Sequence, residues 1–453
     1  MLKIKFIGGA GTVTGSKYLL TINDKKVLVD CGMFQGVKNL RDKNWQPFPI
    51  DASSLDVILL THGHVDHSGY IPALKKAGFK GVIYCSSGTL DLCGVLLPDA
   101  GFLQEEDARY ANRKRFSKHS PALPLYTEED ANASLELFEP VSMNKEIEIL
   151  KGVKVEFKPV GHILGAASIR LSALGRSITF SGDVGRSDDL VMKAPQKLSE
   201  TDYLVVESTY GDRLHEDIDA FAFFEEIINK TSKRGGIVLM PSFAVGRTQI
   251  NLHILQELKK QGRIPDLPIF LNSPMAITAT EIYCRHNKEH KLSASQCAEI
   301  DHGTHFVRTA EESIALNGSS YPSVIISASG MASGGRVLHH LKNLLPHHQH
   351  SIVFIGFQAP GTRGDTLVSG AAEVKIHGQY YPVKAEVYHS GSLSAHGDYQ
   401  EIIDWLRASK ISPKQVFVTH GERSASDSMR MKIKEQLGLK ACVPEPGQEF
   451  ELN

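Results

Sequence analysis

Residues 57–72 read VILLTHGHVDHSGYIP. An apolar run of strand character ends here in four ligand-type side chains packed into six positions, His62, His64, Asp66 and His67. Such crowding is costly in a core unless something binds the polar groups. Alternate residues of an extended chain point the same way, so His62 and His64 can share one metal ion. Asp66 and His67, past the bend, can reach a second. Zinc accepts imidazole nitrogen and carboxylate oxygen at ~2.0–2.2 Å. Two such ions ~3.5–4 Å apart suit hydrolysis of a phosphodiester or an acyl bond.

Two ions need more ligands than four, and the chain supplies candidates in matching contexts. His162 follows the apolar run FKPV and Asp183 follows ITFS, each with a glycine between. Alone, a His or Asp after a strand is an ordinary turn residue. Beside a complete H-x-H-x-D-H, both become candidate ligands.

The whole chain sets the frame for that site. Its 453 residues suggest roughly two or three domains. With 42% hydrophobic and 22% charged residues it has the composition of a folded protein. Fifty basic against fifty-one acidic residues give a net charge of -1, so no global basic field announces a nucleic-acid binder, and a polyanion would have to meet a local patch. Twenty histidines fit metal chemistry and proton transfer near neutral pH. The six cysteines, 31, 85, 93, 284, 297 and 442, show no C-x-x-C pair and read as reduced, mostly buried thiols. MLKIKFIGGAG lacks the apolar core of a signal peptide, and no run approaches the ~18 apolar residues of a membrane helix, so a cytoplasmic protein is expected.

Along the first 200 residues, short apolar strands alternate with turn signals, from LKIKFIGG and KYLLTI through KKVLVDCG, DVILLTHG, GVIYCS and VKVEFKPVGH to SITFSGD. Residues 86–140 turn helical, from LDLCGVLL to TEEDANASLELFEPV, and include a basic run of Arg109, Arg113, Lys114, Arg115 and Lys118 that reads as a solvated helix end. From about residue 206 strand, Gly-bearing turn and helix alternate, which argues for a parallel α/β domain. AEVYHSGSLSAHGD and QVFVTHGE then return to strands ending in histidine. The simplest organisation is one domain inserted into another: residues 1–205 and 385–453 around 206–384.

Three further patterns lie outside the histidine set. SASGMASGGR, residues 327–336, precedes a helix and could offer phosphate contacts through Ser327, Ser329, Gly330, Gly334, Gly335 and Arg336, although such turns also simply pack strand against helix. GGAGTVTGSK lacks the Gly-Lys-Ser/Thr of a nucleotide loop and is expected to be a tight hairpin. PHHQH, residues 346–350, reads as a solvated helix end and loop rather than a further metal site.

The ordered set Asp30 in VLVDCG, His62/His64/Asp66/His67, His162 and Asp183 resembles the metallo-β-lactamase fold. VVESTYGDR at Glu207, SLSAHGD at His396 and VFVTHGE at His420 extend the resemblance to the β-CASP subgroup of nucleic-acid hydrolases over nearly the whole chain. It implies an αββα sandwich carrying an inserted parallel α/β β-CASP domain. It also implies two Zn2+ ions, one on His62, His64 and His162, the other on Asp66, His67 and His420, with Asp183 and a water bridging them. Asp30 would orient ligands by hydrogen bonds, and His396, held by Glu207, would protonate the leaving oxygen.

A histidine at the third motif goes with RNA-processing members, so the resemblance favours single-stranded RNA, threaded in the cleft between the domains. The chain looks like compact bacterial relatives of the cleavage-and-polyadenylation endonuclease, without the added terminal domains of the RNase J and archaeal groups. Endonuclease or 5′-exonuclease mode stays open, as does a homodimer. The rival readings are a small-molecule ester or thioester hydrolase using the same metals, and a non-catalytic RNA-binding scaffold.

Overall fold

The computed structural model describes every residue except 116, 118 and 360, so Lys118 of the basic run lies outside the described residues. The chain divides into two compact units. The first comprises Met1–Asp188, Lys193–Leu214 and His396–Asn453; the second comprises Asp189–Met192 and His215–Ala395.

The first unit is built on two seven-stranded sheets. One runs, in spatial order, Glu449–Glu451, Leu2–Gly8, Lys17–Ile22, Lys25–Val29, Val57–Leu59, Val82–Ser86 and Phe138–Val141. The other runs Ala441–Cys442, Gln415–Val418, Tyr203–Val206, Arg176–Phe180, Ala167–Ala173, Val153–Pro159 and Glu146–Leu150. Period-two alternation sorts their side chains. Val27 and Val29 join Ile4, Phe6, Leu20, Phe157, Ile169, Phe180 and Phe417 in a core shared by both sheets, whereas Leu28 turns to the opposite face with Ile58, Ile83, Leu74 and Leu97. Helices Ile71–Lys76 and Ser87–Lys114 supply the last two, and helix Arg423–Leu437 packs on strand Gln415–Val418 of the other sheet. The layers are therefore αββα, as the motifs imply.

Each sheet is antiparallel on one side and parallel on the other. Asp30, His62, Asp183, Glu207 and His420 each stand one to three residues beyond the carboxyl end of a strand that has a parallel neighbour. That end is where open α/β sheets place their ligands.

The second unit carries a six-stranded parallel sheet in the order His305–Phe306, Ile269–Leu271, Ser323–Ser327, Ile237–Pro241, Ser351–Ile355 and Glu386–Ser390. Ile237, Leu239, Ile325, Ile352 and Phe354 from its strands pack on Val337, Leu338 and Leu341 of the helix Val337–Leu344.

Several local expectations are corrected. AEVYHS does not belong to the closing segment of the first unit: Glu386–Ser390 pairs in parallel with Ser351–Ile355, so the chain stays in the second sheet until Ala395. At the other boundary the first unit extends to Leu214, and Asp189–Met192 belong with the second through the Met192–His290 bridge. FEPV is an edge strand rather than helix; Phe138–Val141 pairs with Ile83–Ser86 on one side, and an edge tolerates Pro140. GGAGTVTGSK is a loop of eight residues, 9–16, between paired strands, not a tight turn. In PHHQH, His347 and His348 are exposed, while His350 is buried and its Nδ1 accepts the Ile237 N–H at 2.9 Å. All six thiols are free, four of them buried. Among the described residues no helix is long and apolar enough to cross a membrane.

Candidate metal centre

The strand Val57–Leu59 ends in Leu60 and Thr61, and the chain then makes one short helix, Val65–Ser68, starting at His64. The backbone N–H groups of His67 and Ser68 donate to the His64 carbonyl at 2.9 and 2.8 Å, and the Ser68 hydroxyl donates to the Gly63 carbonyl at 2.9 Å. This bend ends the extended stretch that carries His62 and His64 and places Asp66 and His67 on a helical turn.

Asp30 braces the bend. It sits at φ 57°, a conformation that Asp tolerates better than most residues. Its Oδ1 accepts from the Thr61 N–H at 2.8 Å; its Oδ2 accepts from the Thr61 hydroxyl at 3.0 Å and lies 2.8 Å from His67 Nδ1. With Nδ1–H directed at a carboxylate, His67 turns Nε2 inward. The turn after Asp30 requires glycine, since a Cβ on Gly32 would stand 1.6 Å from the Asp66 carbonyl oxygen. Gly32→Ala must therefore separate the VLVDCG turn from the ligand bend. A loss of about 3 kcal/mol or more in folding stability is expected, with lowered metal content; an unchanged denaturation midpoint would contradict the close approach.

At the centre stands Asp183, only 2% exposed. Its Oδ2 lies 3.4 Å from His62 Nε2 and 3.5 Å from His162 Nε2; its Oδ1 lies 3.2 Å from His67 Nε2 and 3.5 Å from His420 Nε2. One carboxylate thus presents one oxygen to each of two histidine groups. His64 Nδ1 lies 3.1 Å from both His62 Nε2 and His162 Nε2, and Asp66 Oδ2 lies 3.7 Å from His420 Nε2 and 3.9 Å from His67 Nε2. The donor atoms of His62, His64, His162 and Asp183 all lie within 4.8 Å of one another, and so do those of Asp66, His67 and His420.

The electrostatics fit cation binding. Burial, helped by the neighbouring His67, pushes His62 down to about 4, and burial with His396 nearby holds His162 well below its ordinary value. Both rings are therefore neutral, with a lone pair to give. Burial opposes ionisation of Asp183, but the surrounding His420 and His67 outweigh it and keep the carboxyl well below its usual range. Burial likewise opposes charge on His67, and Asp183 and Asp30 outweigh it. His67 Nε2 and Asp183 Oδ1 are fully buried, 3.2 Å apart and without hydrogen-bond geometry, an arrangement that a cation would satisfy.

Beside this cluster Glu207 and His396 form a second arrangement. Glu207 is 1% exposed, and its carboxylate accepts from the Val184 N–H at 2.5 Å and the Thr209 hydroxyl at 2.6 Å. His396 Nδ1 lies 3.1 Å from Glu207 Oε2 and 4.0 Å from Asp183 Oδ2, with the side chain about 20% exposed. Burial works against protonating this ring, but Glu207 and then Asp183 outweigh it and raise the pKa.

In the glycine-rich turn of the second unit, Arg336, Ser327 and Ser329 make hydrogen bonds within the fold. Arg336 donates to Asn272 Oδ1 at 2.9 Å and to the carbonyls of Val307 and Arg308 at 3.0 and 2.8 Å. The Ser327 hydroxyl is buried and donates to the Asn272 carbonyl at 3.0 Å, and Ser329 Oγ accepts from the N–H groups of Ser333 and Gly334. These hydrogen bonds hold the turn to its own sheet, and they engage the Ser327 hydroxyl and three of the five guanidinium N–H groups of Arg336. Gly330, Gly334 and Gly335 remain as backbone only. Of the basic run, Arg109, Arg113, Lys114 and Arg115 are exposed, and Arg109 pairs with Glu106 at 2.8 Å. The motifs did not bring forward Thr61, Thr209 and Ser16, whose hydroxyls touch the site's polar groups; a lone Ser or Thr leaves no pattern in one sequence.

Three family models match consecutive parts of the chain: the metallo-beta-lactamase superfamily over residues 10–219, the Beta-Casp domain over 248–367, and a Zn-dependent metallo-hydrolase RNA specificity domain over 380–444. Ribonuclease TTHA0252 of Thermus thermophilus is 34% identical over 429 residues, 93% of each chain. The chain belongs to the β-CASP group of the metallo-β-lactamase superfamily. Other relatives are an RNase J-like protein of Methanocaldococcus jannaschii, 32% identical over 99% of both chains, and that organism's transcription termination factor FttA, 30% identical over 96% of this chain and 70% of that one. A crystal structure of a protein of unknown function from Enterococcus faecalis V583 covers the full length of both chains with a TM-score of 0.55 at 14% identity, a likeness of fold alone. Within the family, the histidine and aspartate groups described above are where a metal-binding site is expected.

Proposed function

We propose that the chain is a zinc-dependent ribonuclease that hydrolyses phosphodiester bonds of single-stranded RNA. The observation that carries this reading is the placement of Asp183 between two groups of histidines, one oxygen toward each. His62, His64 and His162 would hold one ion, Asp66, His67 and His420 the other, and Asp183 both. When bound, such a pair supplies the acidity that makes water a nucleophile near neutral pH and the positive charge that draws a phosphate. The chain's own residues do the rest. Asp30 holds His67 in orientation, and His396, partly exposed and favoured in its protonated form by Glu207, gives a proton to the departing ribose oxygen.

The Glu207–His396 pair also favours hydrolysis of a phosphodiester over that of a thioester, because a thiolate leaves without a proton whereas an alkoxide does not. Incubation with single-stranded RNA and DNA carrying 5′-phosphate or 5′-hydroxyl ends, with products read at single-nucleotide resolution beside a panel of acyl substrates, tests the reading. Cleavage of RNA alone is the expected result, and turnover of acyl substrates without RNA cleavage would overturn it. Metal analysis should return two zinc ions per chain.

Glu207→Gln is expected to slow RNA cleavage about 10- to 100-fold with zinc retained, the range for removing a partner that orients a functional imidazole. A glutamine turns one NH2 toward donors that the carboxylate now accepts, Val184 N–H, Thr209 Oγ or His396 Nδ1. Unchanged turnover would detach Glu207 from catalysis. Because the chain carries a net charge of -1, RNA must find a local basic surface, and its affinity should fall as salt rises through release of phosphate-bound counterions. An affinity flat from 50 to 200 mM salt would count against a phosphate-backbone ligand.

A further inference from the structure

The helix Ser87–Lys114 starts against the proposed metal ligands. The hydroxyls of its N-cap Ser86 and of Thr89 both donate to the Gly165 carbonyl, at 2.7 and 3.0 Å, three residues after His162. Further along, Leu92 and Cys93 pack on the other ligand stretch: a Cβ on Gly63, between His62 and His64, would meet Leu92 Cβ at 3.3 Å and Cys93 Sγ at 3.6 Å. The far end of the helix is built differently. Past Gly101, whose Cβ would stand 2.6 Å from the Thr127 carbonyl oxygen, it runs on to Lys114 while residues 122–127 return beside it. Asn112 exchanges two hydrogen bonds with the Ala122 backbone, at 2.7 and 2.9 Å, and Gln104 Oε1 accepts from the Leu125 N–H at 3.2 Å. Helix and return segment form a braced arm.

Charge on this arm is one-sided. Residues 108–126 hold five Lys or Arg, at 109, 113, 114, 115 and 118, and no Asp or Glu, in a chain with a net charge of -1. The acidic groups Glu105, Glu106 and Asp107 stand nearer its base; Glu106 pairs with Arg109 at 2.8 Å, and Glu105 accepts from the Glu128 N–H at 3.0 Å. Among the described residues Arg113, Lys114 and Arg115 make no ion pair. Aromatic rings lie between the charges. Phe102 and Tyr110 are 43% and 48% exposed; the Arg109 guanidinium lies 6.0 Å from the Phe102 ring centre, and that of Arg113 lies 5.6 Å from the Tyr110 ring centre. Positions 102, 106, 109, 110 and 113 follow the three- and four-residue spacing of one helix face.

A solvated helix end accounts for the cations but not for the exposed rings interleaved with them. A single strand of nucleic acid has the matching pattern: phosphates draw the cations, and bases stack on aromatic faces and on guanidinium planes. Because the chain has no positive field overall, a polyanion is held only where positive charge is local. The helix also sets a distance. Cys93 and Arg113 are twenty residues apart, about 30 Å along a straight axis at ~1.5 Å per residue, a span that Pro98 inside the helix can only shorten. A stacked strand covers it in about nine nucleotides at ~3.4 Å each.

We propose that the tip of this arm, Arg109, Tyr110, Arg113 and Lys114, is a second contact for single-stranded RNA, holding the strand about nine nucleotides from the bond being cut. The inference deepens the reading of the chain as a ribonuclease and rests on it. The metal centre supplies the chemistry, and the arm supplies affinity for strands long enough to reach it.

Fluorescence anisotropy with end-labelled phosphorothioate RNAs of about 4 and about 16 nucleotides, the range that single-strand sites occupy, tests it; the sulfur-substituted linkage keeps its charge and resists cleavage. The parent should bind the longer strand more tightly. In Arg113→Gln/Lys114→Gln that preference should shrink about 10-fold, and log affinity for the longer strand should fall less steeply with log salt, by about 1.4, or ~0.7 for each phosphate contact removed. Tyr110→Ala should weaken binding of the longer strand about 5-fold or more while keeping the parent's salt slope, because stacking releases no counterions. A merely structural role for these exposed side chains would not split charge from ring in this way.

A double variant with the parent's affinity and salt slope for the longer strand overturns the arm, whatever Tyr110→Ala does. If the parent itself neither binds nor cuts RNA, the ribonuclease reading fails and the arm with it; if the parent cuts RNA and the double variant binds as it does, the arm alone fails. Leu103 and Leu123 are also exposed on the arm. Self-association of the parent in analytical ultracentrifugation that Tyr110→Ala abolishes, beside unaltered RNA affinity, would assign the arm to a second copy of the chain and overturn its role with RNA.

Discussion

His396→Ala should cleave single-stranded RNA about 10²- to 10⁴-fold more slowly than the parent while keeping its zinc and its affinity for RNA. A ribose oxygen is a poor leaving group unless it is protonated as the bond breaks, and a positioned histidine contributes a factor of that size. His396 has the attributes required: partial exposure, a carboxylate 3.1 Å from Nδ1, and a pKa that Glu207 raises against burial. It lies outside both histidine groups that face Asp183 and clusters instead with Asp183 and Glu207, whose carboxylate takes its Nδ1, so zinc content measured in the variant should match the parent. The substrate then separates an acid from a support. A p-nitrophenolate leaves with little help, so bis(p-nitrophenyl) phosphate hydrolysis should be much less sensitive to His396→Ala than RNA cleavage. Equal losses on both substrates would rule out general acid catalysis and leave His396 a role in holding the site together.

Asp183→Ala should abolish RNA cleavage and reduce the zinc content. The geometric reason is that both histidine groups face this one carboxylate, with oxygens 3.2–3.5 Å from Nε2 atoms of His62, His162, His67 and His420. Removing it would take away the negative charge that is proposed to offset two cations, at a buried position where uncompensated charge is expensive. Asp183→Asn is the sharper comparison. It preserves shape and one oxygen, so it should retain metal better on one side than on the other. Full zinc occupancy with normal turnover in Asp183→Ala would remove the bridging assignment, and with it the observation on which the proposed function rests.

Much of this architecture was legible in the chain because its signals are local. The alternation in KKVLVDCG and LKIKFIGG sets which side chains face the shared core, since a strand has a period of two whatever surrounds it. H-x-H-x-D-H is legible for the same reason, because a strand followed by one bend puts the pairs on different sides. Signals failed where a neighbour decided the outcome. FEPV looks helical by continuation from LELF, but pairing with Ile83–Ser86 makes it a strand. AEVYHS ends in a histidine like the site strands, yet parallel pairing with Ser351–Ile355 keeps it in the second unit. Arg336 reads as a cation awaiting a phosphate, and only the folded chain shows that Asn272, Val307 and Arg308 take three of its five N–H groups.

By itself the sequence determined the candidate ligand types, their order and the strands that end in them, because these depend on residue chemistry and short-range geometry. Tertiary structure alone decided which oxygen of Asp183 faces which histidines, that Glu207 reaches His396 from 189 positions away, and that Ser16 meets His420 from 404 away. Those are contacts between strand ends brought together by sheet order, and sheet order follows from how the faces bury one another rather than from any residue's immediate neighbours.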